Sequence, residues 1–153
     1  MVSLLSATLL FALAAGGATE AAPVSVRCWA VEATREGHEP KRYDASAEEV
    51  RDALADLPFD NFVTVTRQQL QLPADQETRL ALKDGYALYL RYLGKDADGR
   101  ARVSARVELA PKTPDAPPRK VVETKLLLSR QGKARVGGLR TEKGELVLVL
   151  TLQ

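Results

Sequence analysis

The chain has 153 residues, of which 45% are hydrophobic and 27% charged, and its formal net charge is +2. This composition is typical of an ordinary globular protein and excludes a disordered chain. Acidic and basic residues are interspersed, so the sequence lacks the clustered positive charge of nucleic-acid-binding proteins, and we expect no nucleic-acid partner.

The first 18 residues have the layout of a secretory signal peptide. Residues 4–13 carry no charge, and residues 14–18 are all alanine or glycine. An apolar run followed by small residues is typical of a cleavable leader, and this run is shorter than the roughly 20 residues that span a bilayer. We therefore predict a signal peptide over residues 1–18, export to the periplasm or the outside of a bacterial cell, and one mature β-rich domain over residues 19–153 with no transmembrane span.

The first elements of that domain are a strand and a helix. Residues 24–33 are rich in valine, which favours a strand. The helix is predicted over residues 46–57, where Ser46 and Glu49 have the spacing of a capping box and Pro58 ends the run. Apolar residues at helical spacing give it one hydrophobic face, formed by Val50, Ala53, Leu54 and Leu57.

Everything after Pro58 has the pattern of strands. Within residues 62–72 the apolar positions change parity, from Val63 and Val65 to Leu70 and Leu72. Since alternate side chains of a strand point to opposite faces, this change predicts a bulge or turn near residues 67–69.

Three further strands are predicted over residues 78–83, 86–93 and 101–109, separated by turns at residues 84–85 and 95–99. The third alternates strictly between apolar and polar residues, as a strand with one buried face does. Ala101, Val103, Ala105, Val107 and Leu109 are expected to face inward.

Residues 111–118 contain four of the eight prolines and are predicted to form a stiff, exposed loop. Strands follow at residues 121–129, 133–136 and 145–152, with a turn or bulge at Gly137-Gly138. The last strand is apolar at successive positions, so we expect it to be central and covered on both faces. The sequence thus predicts an α+β fold of seven or eight mostly antiparallel strands, sandwich-like or barrel-like, with one amphipathic helix.

Residues 121–151 carry a pattern that resembles the C-terminal end of bacterial outer-membrane secretins. The pattern is Lys125-Leu-Leu-Leu-Ser-Arg-Gln-Gly-Lys-Ala-Arg-Val-Gly-Gly-Leu139, followed by Glu145-Leu-Val-Leu-Val-Leu-Thr151. Secretins place a long gate segment between the two parts, where this chain has only residues 140–144. The resemblance therefore implies a small exported relative, and pore formation is not implied.

Residues able to carry catalysis are few. His38 is the sole histidine and lies in a polar loop, so any hydrolase that relies on a histidine base would have to use it. One histidine and the single Cys28 are too few for a zinc site. The carboxylate pairs Asp56/Asp60 and Glu48/Glu49 flank or cap the predicted helix, which explains their charge without catalysis. We expect no metal, no cofactor and no enzymatic activity.

Three other features leave alternatives open. Asp96 and Asp98 have the spacing of part of a calcium loop, but a hairpin turn explains them equally, and Arg100 stands where ligands would have to follow. Tyr86 and Tyr92 share one face of a predicted strand. They form either a candidate ligand face for a glycan or peptide, or half-buried side chains of the sheet that need no ligand. Cys28 is expected to be a buried apolar side chain, or else to form an intermolecular disulfide.

These observations favour a non-catalytic exported envelope protein, a domain that binds or helps to assemble another envelope protein through its edge strands. The alternatives are a module that binds a small ligand at Tyr86 and Tyr92, and a hydrolase that uses His38. The sequence leaves the oligomeric state open.

Overall fold

The computed structural model describes residues 22–153, and the predicted leader lies outside these described residues. They form nine strands, two short helices and a 3₁₀ turn over Lys83–Gly85. In chain order the elements are β1 (Val24–Thr34), β2 (Arg42–Tyr43), α1 (Ala45–Glu48), α2 (Arg51–Leu54), β3 (Asn61–Leu72), β4 (Glu77–Ala81), β5 (Tyr86–Lys95), β6 (Ala101–Leu109), β7 (Arg119–Leu128), β8 (Ala134–Arg140) and β9 (Glu145–Leu152).

The strands form two sheets. The five-stranded sheet has the order β2-β3-β1-β9-β8, and the four-stranded sheet has the order β4-β5-β6-β7. All pairings are antiparallel except that of β2 with β3. The predicted α+β, sandwich-like, mostly antiparallel fold is therefore confirmed. The ninth strand is the two-residue β2, which lies outside every strand predicted from the sequence.

The main hydrophobic core lies between the two sheets. The inward residues of β6 alternate as the sequence predicts, with Ala101, Val103, Ala105 and Val107 buried and Leu109 partly buried. The opposite wall comes from alternate residues of β1 and β9. Apolar residues on facing sheets exclude water from both, and this burial is the principal stabilising contribution.

A second core lies on the other face of the five-stranded sheet, under the two helices. Val50 and Leu54 of the helical segment pack there with Phe62 and with residues of β1 and β9. Strand β9 is consequently covered on both faces, and seven of its eight positions are buried. This confirms the central, doubly covered strand that its unbroken apolar sequence predicts.

The predicted single helix over residues 46–57 is wrong in its details. The N-cap is Asp44, whose Oδ1 accepts a hydrogen bond from the Ala47 amide (2.8 Å) and whose Oδ2 accepts one from the Thr64 amide (2.6 Å). Glu49 binds Arg67 of β3 instead of closing a capping box with Ser46. Bonds to β3 thus set the start of the helix, and Val50 then leaves the helical conformation (φ −122°, ψ 21°).

Three ion pairs tie the helical segment to the sheet on both sides. Arg67 of β3 binds Glu49 at 2.9 Å, while the other two pairs involve residues at or just before β8. These are Lys133 with Asp52 (2.9 Å) and Arg135 with Asp56 (2.6 Å). They orient the segment, although exposed pairs of this kind contribute little to stability.

Both strand irregularities predicted from the sequence occur, but the one in β3 lies at a different position. In β3 the extra residue is Val65, because Ala30 pairs with Thr66 and Val31 with Thr64. The bulge therefore precedes the predicted position near residues 67–69. The Gly137-Gly138 bulge is confirmed inside β8, and the proline-rich segment is confirmed as the loop that joins β6 to β7. No helix in the described part of the chain is long and apolar enough to cross a membrane.

Candidate interaction surface

The outer face of the four-stranded sheet is strongly charged, and its basic residues outnumber its acidic ones. The register places its side chains in rows that run across the strands. One row is Arg79, Tyr89, Arg106 and Glu123, and the next is Glu77, Arg91, Ser104 and Lys125. Glu108 and Lys120 form a pair beyond the first row.

Part of this charge is neutralised within the sheet. Arg106 donates two hydrogen bonds to Glu77 (2.9 and 3.1 Å) and one to Glu108 (3.0 Å), and its guanidinium lies 4.5 Å from the centre of the Tyr89 ring. The bonds to Glu77 raise the pKa of Arg106. Lys120 binds Glu123 at 2.5 Å. The acidic residues of this face are therefore engaged with Arg106 and Lys120.

Other cations of the same face keep their charge available. Among the described residues, Arg102 and Lys125 have no carboxylate within salt-bridge distance. Arg102 donates to the Leu93 carbonyl oxygen at 3.4 Å. Arg79 of β4 and Arg119 at the start of β7 also lack a carboxylate partner among the described residues. The unpaired cations are therefore spread over the four-stranded sheet, and Arg102 and Lys125 are the two that lie toward the end where β6 begins and β7 ends.

Two exposed leucines lie beside these cations. Leu127 is 49% exposed and pairs across the strands with Arg102, while Leu93 is 36% exposed and lies in a bulge of β5 on the other side of Arg102. We call Leu93, Arg102, Lys125 and Leu127 the basic-apolar patch. Exposed apolar groups clustered with unpaired charge are a common feature of interaction sites.

The patch adjoins an open sheet edge. Within residues 22–153, strand β7 pairs with β6 on one side only, so its other side carries a row of backbone groups that have no strand partner in this part of the chain. A second open stretch occurs in β3 after Phe62, because β2 pairs only with Asn61 and Phe62. The exposed positions of the β3 stretch, residues 63–72, are Val63, Arg67 and three glutamines, Gln68, Gln69 and Gln71.

The remaining edges are short or interrupted. Strand β4 has five residues. In β8 the register is broken between Val136 and Leu139, and the Gly138 amide donates to the Glu145 carboxylate at 2.6 Å. Both features hinder the addition of a further strand. The two long open edges are therefore β7, where Leu127 is exposed, and residues 63–72 of β3, where Val63 is exposed.

Tyr86 and Tyr92, the candidate ligand face from the sequence, lie in the core between the sheets. Only 7% of Tyr86 and 3% of Tyr92 is exposed. The Tyr86 hydroxyl donates to the Arg140 carbonyl oxygen at 2.7 Å, so the ring is held by the backbone of β5 at one end and by this hydrogen bond at the other. These positions face inward because β5 alternates with Tyr89 outside, and the sequence alone did not indicate which face was covered.

Replacing Tyr86 with phenylalanine is expected to lower the free energy of unfolding by about 1 kcal/mol, because one buried hydrogen bond is lost while the ring still fills its site. Urea unfolding of the purified variant measures this. A Tyr89→Phe variant is the matched control, since the Tyr89 hydroxyl only accepts a long bond from the exposed Arg79 (3.3 Å). Equal effects of the two substitutions would contradict the buried position of Tyr86.

The residues considered for catalysis are scattered. The His38 ring lies 3.3 Å from the Glu36 carboxylate in the loop after β1. Asp60 accepts the amides of Glu36 and Gly37, and these bonds lower its pKa, while Arg135 lowers the pKa of Asp56. A general acid needs its pKa raised toward the working pH, which is the opposite direction.

The other predicted site residues have structural contacts. Glu48 binds Arg51 (3.1 Å). Asp96 closes the hairpin between β5 and β6, where its carboxylate accepts from the amides of Asp98 and Arg100 and from the Arg100 side chain. The hairpin-turn interpretation of this segment is therefore the one that its geometry fits.

Cys28 and Trp29 are neighbouring residues of β1 that face opposite cores. Cys28 is fully buried between the sheets, and burial raises the pKa of its thiol to about 12. Trp29 is 3% exposed under the helical side, with the guanidinium groups of Arg27 and Arg67 within 5.9 Å of its ring centre. Both side chains therefore serve packing.

A polar contact that the sequence did not indicate joins the two sheets. Glu32 of β1 accepts a hydrogen bond from the Lys83 ammonium at 2.5 Å and one from the Thr141 hydroxyl at 3.1 Å. The hydrogen bond from Lys83 is the main reason why the pKa of Glu32 is lowered. The same bond raises the pKa of Lys83. Glu32, Lys83 and Thr141 are far apart in sequence, so no local pattern could reveal the contact.

This contact predicts a pH dependence of stability. Because the Glu32 pKa is lower in the folded state, its contribution is complete above the ordinary value of 4.5 and disappears as pH falls through the folded value. A Glu32→Gln variant is expected to lose about 2 kcal/mol at pH 7, a figure reduced because Lys83 is 39% exposed. Urea unfolding at pH 7 and pH 3 should show this difference shrinking at the lower pH; a constant difference would contradict the pairing.

Among the cavities in the described part of the chain, two lie at opposite ends of the sandwich. The larger, of about 590 Å³, lies where β1 begins and β9 ends, and it is lined largely by polar residues including Ser25, Gln71 and Arg130. The second, of about 490 Å³, lies between the proline-rich loop and the turn that joins β8 to β9. The larger one has the size of a small-molecule site.

Comparison with known proteins gave no further assignment: no family model, no curated protein and no solved structure matches this chain.

Proposed function

We propose that this chain is exported and acts in the bacterial envelope as a non-catalytic domain that binds another envelope protein, with strand β7 as its binding edge. Export is supported by the leader pattern of residues 1–18. The secretin-like pattern of residues 121–151, which covers β7, β8 and β9, is consistent with a partner in an outer-membrane assembly.

The observation that carries the binding edge is the combination of an open strand and an apolar surface beside it. Strand β7 spans ten residues and, in the described part of the chain, pairs on one side only. An incoming strand there would satisfy its free backbone groups and cover Val122 and Leu126, which are only partly buried. The same strand would lie against Leu127. Strand addition therefore offers both hydrogen bonds and apolar burial.

The native size of the protein tests this function. A tag is placed after a flexible linker at Gln153, because β9 is buried to its end. Envelope and culture fractions are then extracted gently and separated by size. We expect an envelope complex much larger than the 16.7 kDa chain. A free monomer in every fraction would contradict the proposal, and recovery from the cytoplasm alone would contradict export.

The alternative is a module that binds a small glycan or peptide, and one observation favours it. The larger cavity contains amide, hydroxyl and guanidinium groups of the kind that bind sugars or peptides. Calorimetric titration with envelope oligosaccharides, using Arg130→Ala and Gln71→Ala variants, tests it. Binding that both variants abolish would favour this alternative over the edge of β7.

A further inference from the structure

We propose that β7 takes an extended acidic segment of its partner, which adds as a fifth strand to the four-stranded sheet and places a carboxylate opposite Lys125 and an apolar side chain opposite Leu127. This inference rests on the proposed function and specifies the chemistry of the partner. The juxtaposition that carries it is the open β7 edge beside the basic-apolar patch.

The charge requirement comes from the cations that the sheet leaves without partners. The acidic residues near the middle of this face are engaged by Arg106 and Lys120, whereas Lys125 and Arg102 have no carboxylate within salt-bridge distance in the described residues. Directly opposite side chains on neighbouring strands have Cβ atoms about 5 Å apart, within reach of an ion pair. A basic residue opposite Lys125 would be repelled.

The apolar requirement comes from both faces of the incoming strand. On the outer face it would meet Leu127, which is 49% exposed. On the inner face it would lie beside Val122 and Leu126, partly buried residues at the margin of the core. A segment with alternating acidic and apolar residues outside, and apolar residues inside, would satisfy all these contacts.

The charge also explains why β7 is preferred over the β3 edge. Exposed positions of β3 beyond Phe62 include Arg67, but Glu49 already neutralises it. Its other exposed positions there are Gln68, Gln69 and Gln71, and Val63 stands apart at the opposite end. The β3 edge therefore offers backbone hydrogen-bonding groups, but its side chains would not select an acidic and apolar strand.

The test uses a palindromic peptide, so that either strand direction gives the same contacts. The probe is acetylated and amidated Thr-Glu-Val-Leu-Val-Glu-Thr, compared with the same peptide carrying lysine in place of glutamate. A third peptide has proline in place of both valines, which keeps the charge but removes backbone donors. Binding is measured by ¹⁵N–¹H chemical-shift changes in the purified full chain.

We expect the glutamate peptide to shift the amides of β7 and the other two peptides to bind at least fivefold more weakly. In a Lys125→Glu variant the preference should reverse, with the lysine peptide binding better than the glutamate peptide. Arg42→Glu in β2 is the matched control, because it makes the same charge change at the far edge of the other sheet, and it should leave the preference unchanged.

Four results would overturn the inference. They are failure of the glutamate peptide to bind, shifts confined to residues 63–72 of β3, equal binding of the proline peptide, and an unchanged preference in Lys125→Glu. Binding of the native chain to anionic phospholipid vesicles that Leu127→Ser abolishes would also overturn it, in favour of a membrane surface. A large envelope complex combined with an unchanged preference in Lys125→Glu would leave the proposed function standing with a partner of different chemistry. A large envelope complex combined with shifts confined to β3 would leave protein binding standing but remove β7 as the binding edge.

Discussion

Replacing Gly144 with alanine is expected to lower the free energy of unfolding by about 3 kcal/mol, because the new methyl group has no room. Gly144 lies in the turn between β8 and β9, and a Cβ there would lie 2.1 Å from the Ala33 carbonyl oxygen of β1. The Ala33 carbonyl is part of the backbone of β1 and cannot rotate away as a side chain would. The turn or the β1–β9 pairing must therefore shift. Thermal and urea unfolding of the variant give the magnitude.

Gly137→Ala is the control for this substitution. The nearest atom to a Cβ at Gly137 is an oxygen of the Glu145 side chain at 3.1 Å, which needs to move by only a few tenths of an ångström. Such a movement lengthens the hydrogen bond that this oxygen accepts from the Gly138 amide. We expect its effect to stay below about 1 kcal/mol. If both variants were equally stable, the close approach of Gly144 to β1 would be wrong.

Replacing Phe62 with alanine is expected to cost about 4 kcal/mol, because it empties the centre of the core under the helices. Phe62 is fully buried, and its ring stacks on Tyr43 at 4.8 Å with nearly parallel planes. The neighbouring Val63 is 44% exposed, so Val63→Ala serves as the control and should change stability by about 0.5 kcal/mol or less. Urea unfolding compares the two.

A small effect of Phe62→Ala would mean that the helical segment does not depend on this core. The same variant should also release the segment from the sheet, which hydrogen exchange of the Val50 and Leu54 amides would show as faster exchange. Unchanged exchange at both amides would contradict the packing.

Much of the strand arrangement could be predicted because its signals are local. The alternation of β6 between Ala101 and Leu109 and the unbroken apolar run of β9 each specify how many faces are covered. Turn residues between the strands indicate where each strand begins and ends. These patterns need no knowledge of distant residues, and the structure confirms them.

The errors occur where distant contacts override local preference. Ser46 and Glu49 have the spacing of a capping box, yet Asp44 caps the helix because β3 holds its carboxylate, and Arg67 of β3 takes Glu49. The inward direction of Tyr86 and Tyr92 likewise depends on the second sheet. Alternation along β5 alone separates its two faces without indicating which one is buried.

The candidate interaction surface could be predicted least well, because it depends on the order of the strands in the sheet. The sequence predicted exposed edge strands but could not indicate which strands would be edges. Only the sheet order places β7 at an edge, and only the register brings Leu127, on β7, beside Arg102, on β6. Lys125 and Leu127 alone would be ordinary strand residues.

The most direct test of β7 as the binding edge is photo-crosslinking in living cells from position 127. A photoreactive residue in place of Leu127 is compared with one in place of Val63, the exposed apolar residue of β3. The account predicts one discrete protein adduct from position 127 and none from position 63. No adduct from position 127, or adducts from position 63 alone, would contradict it.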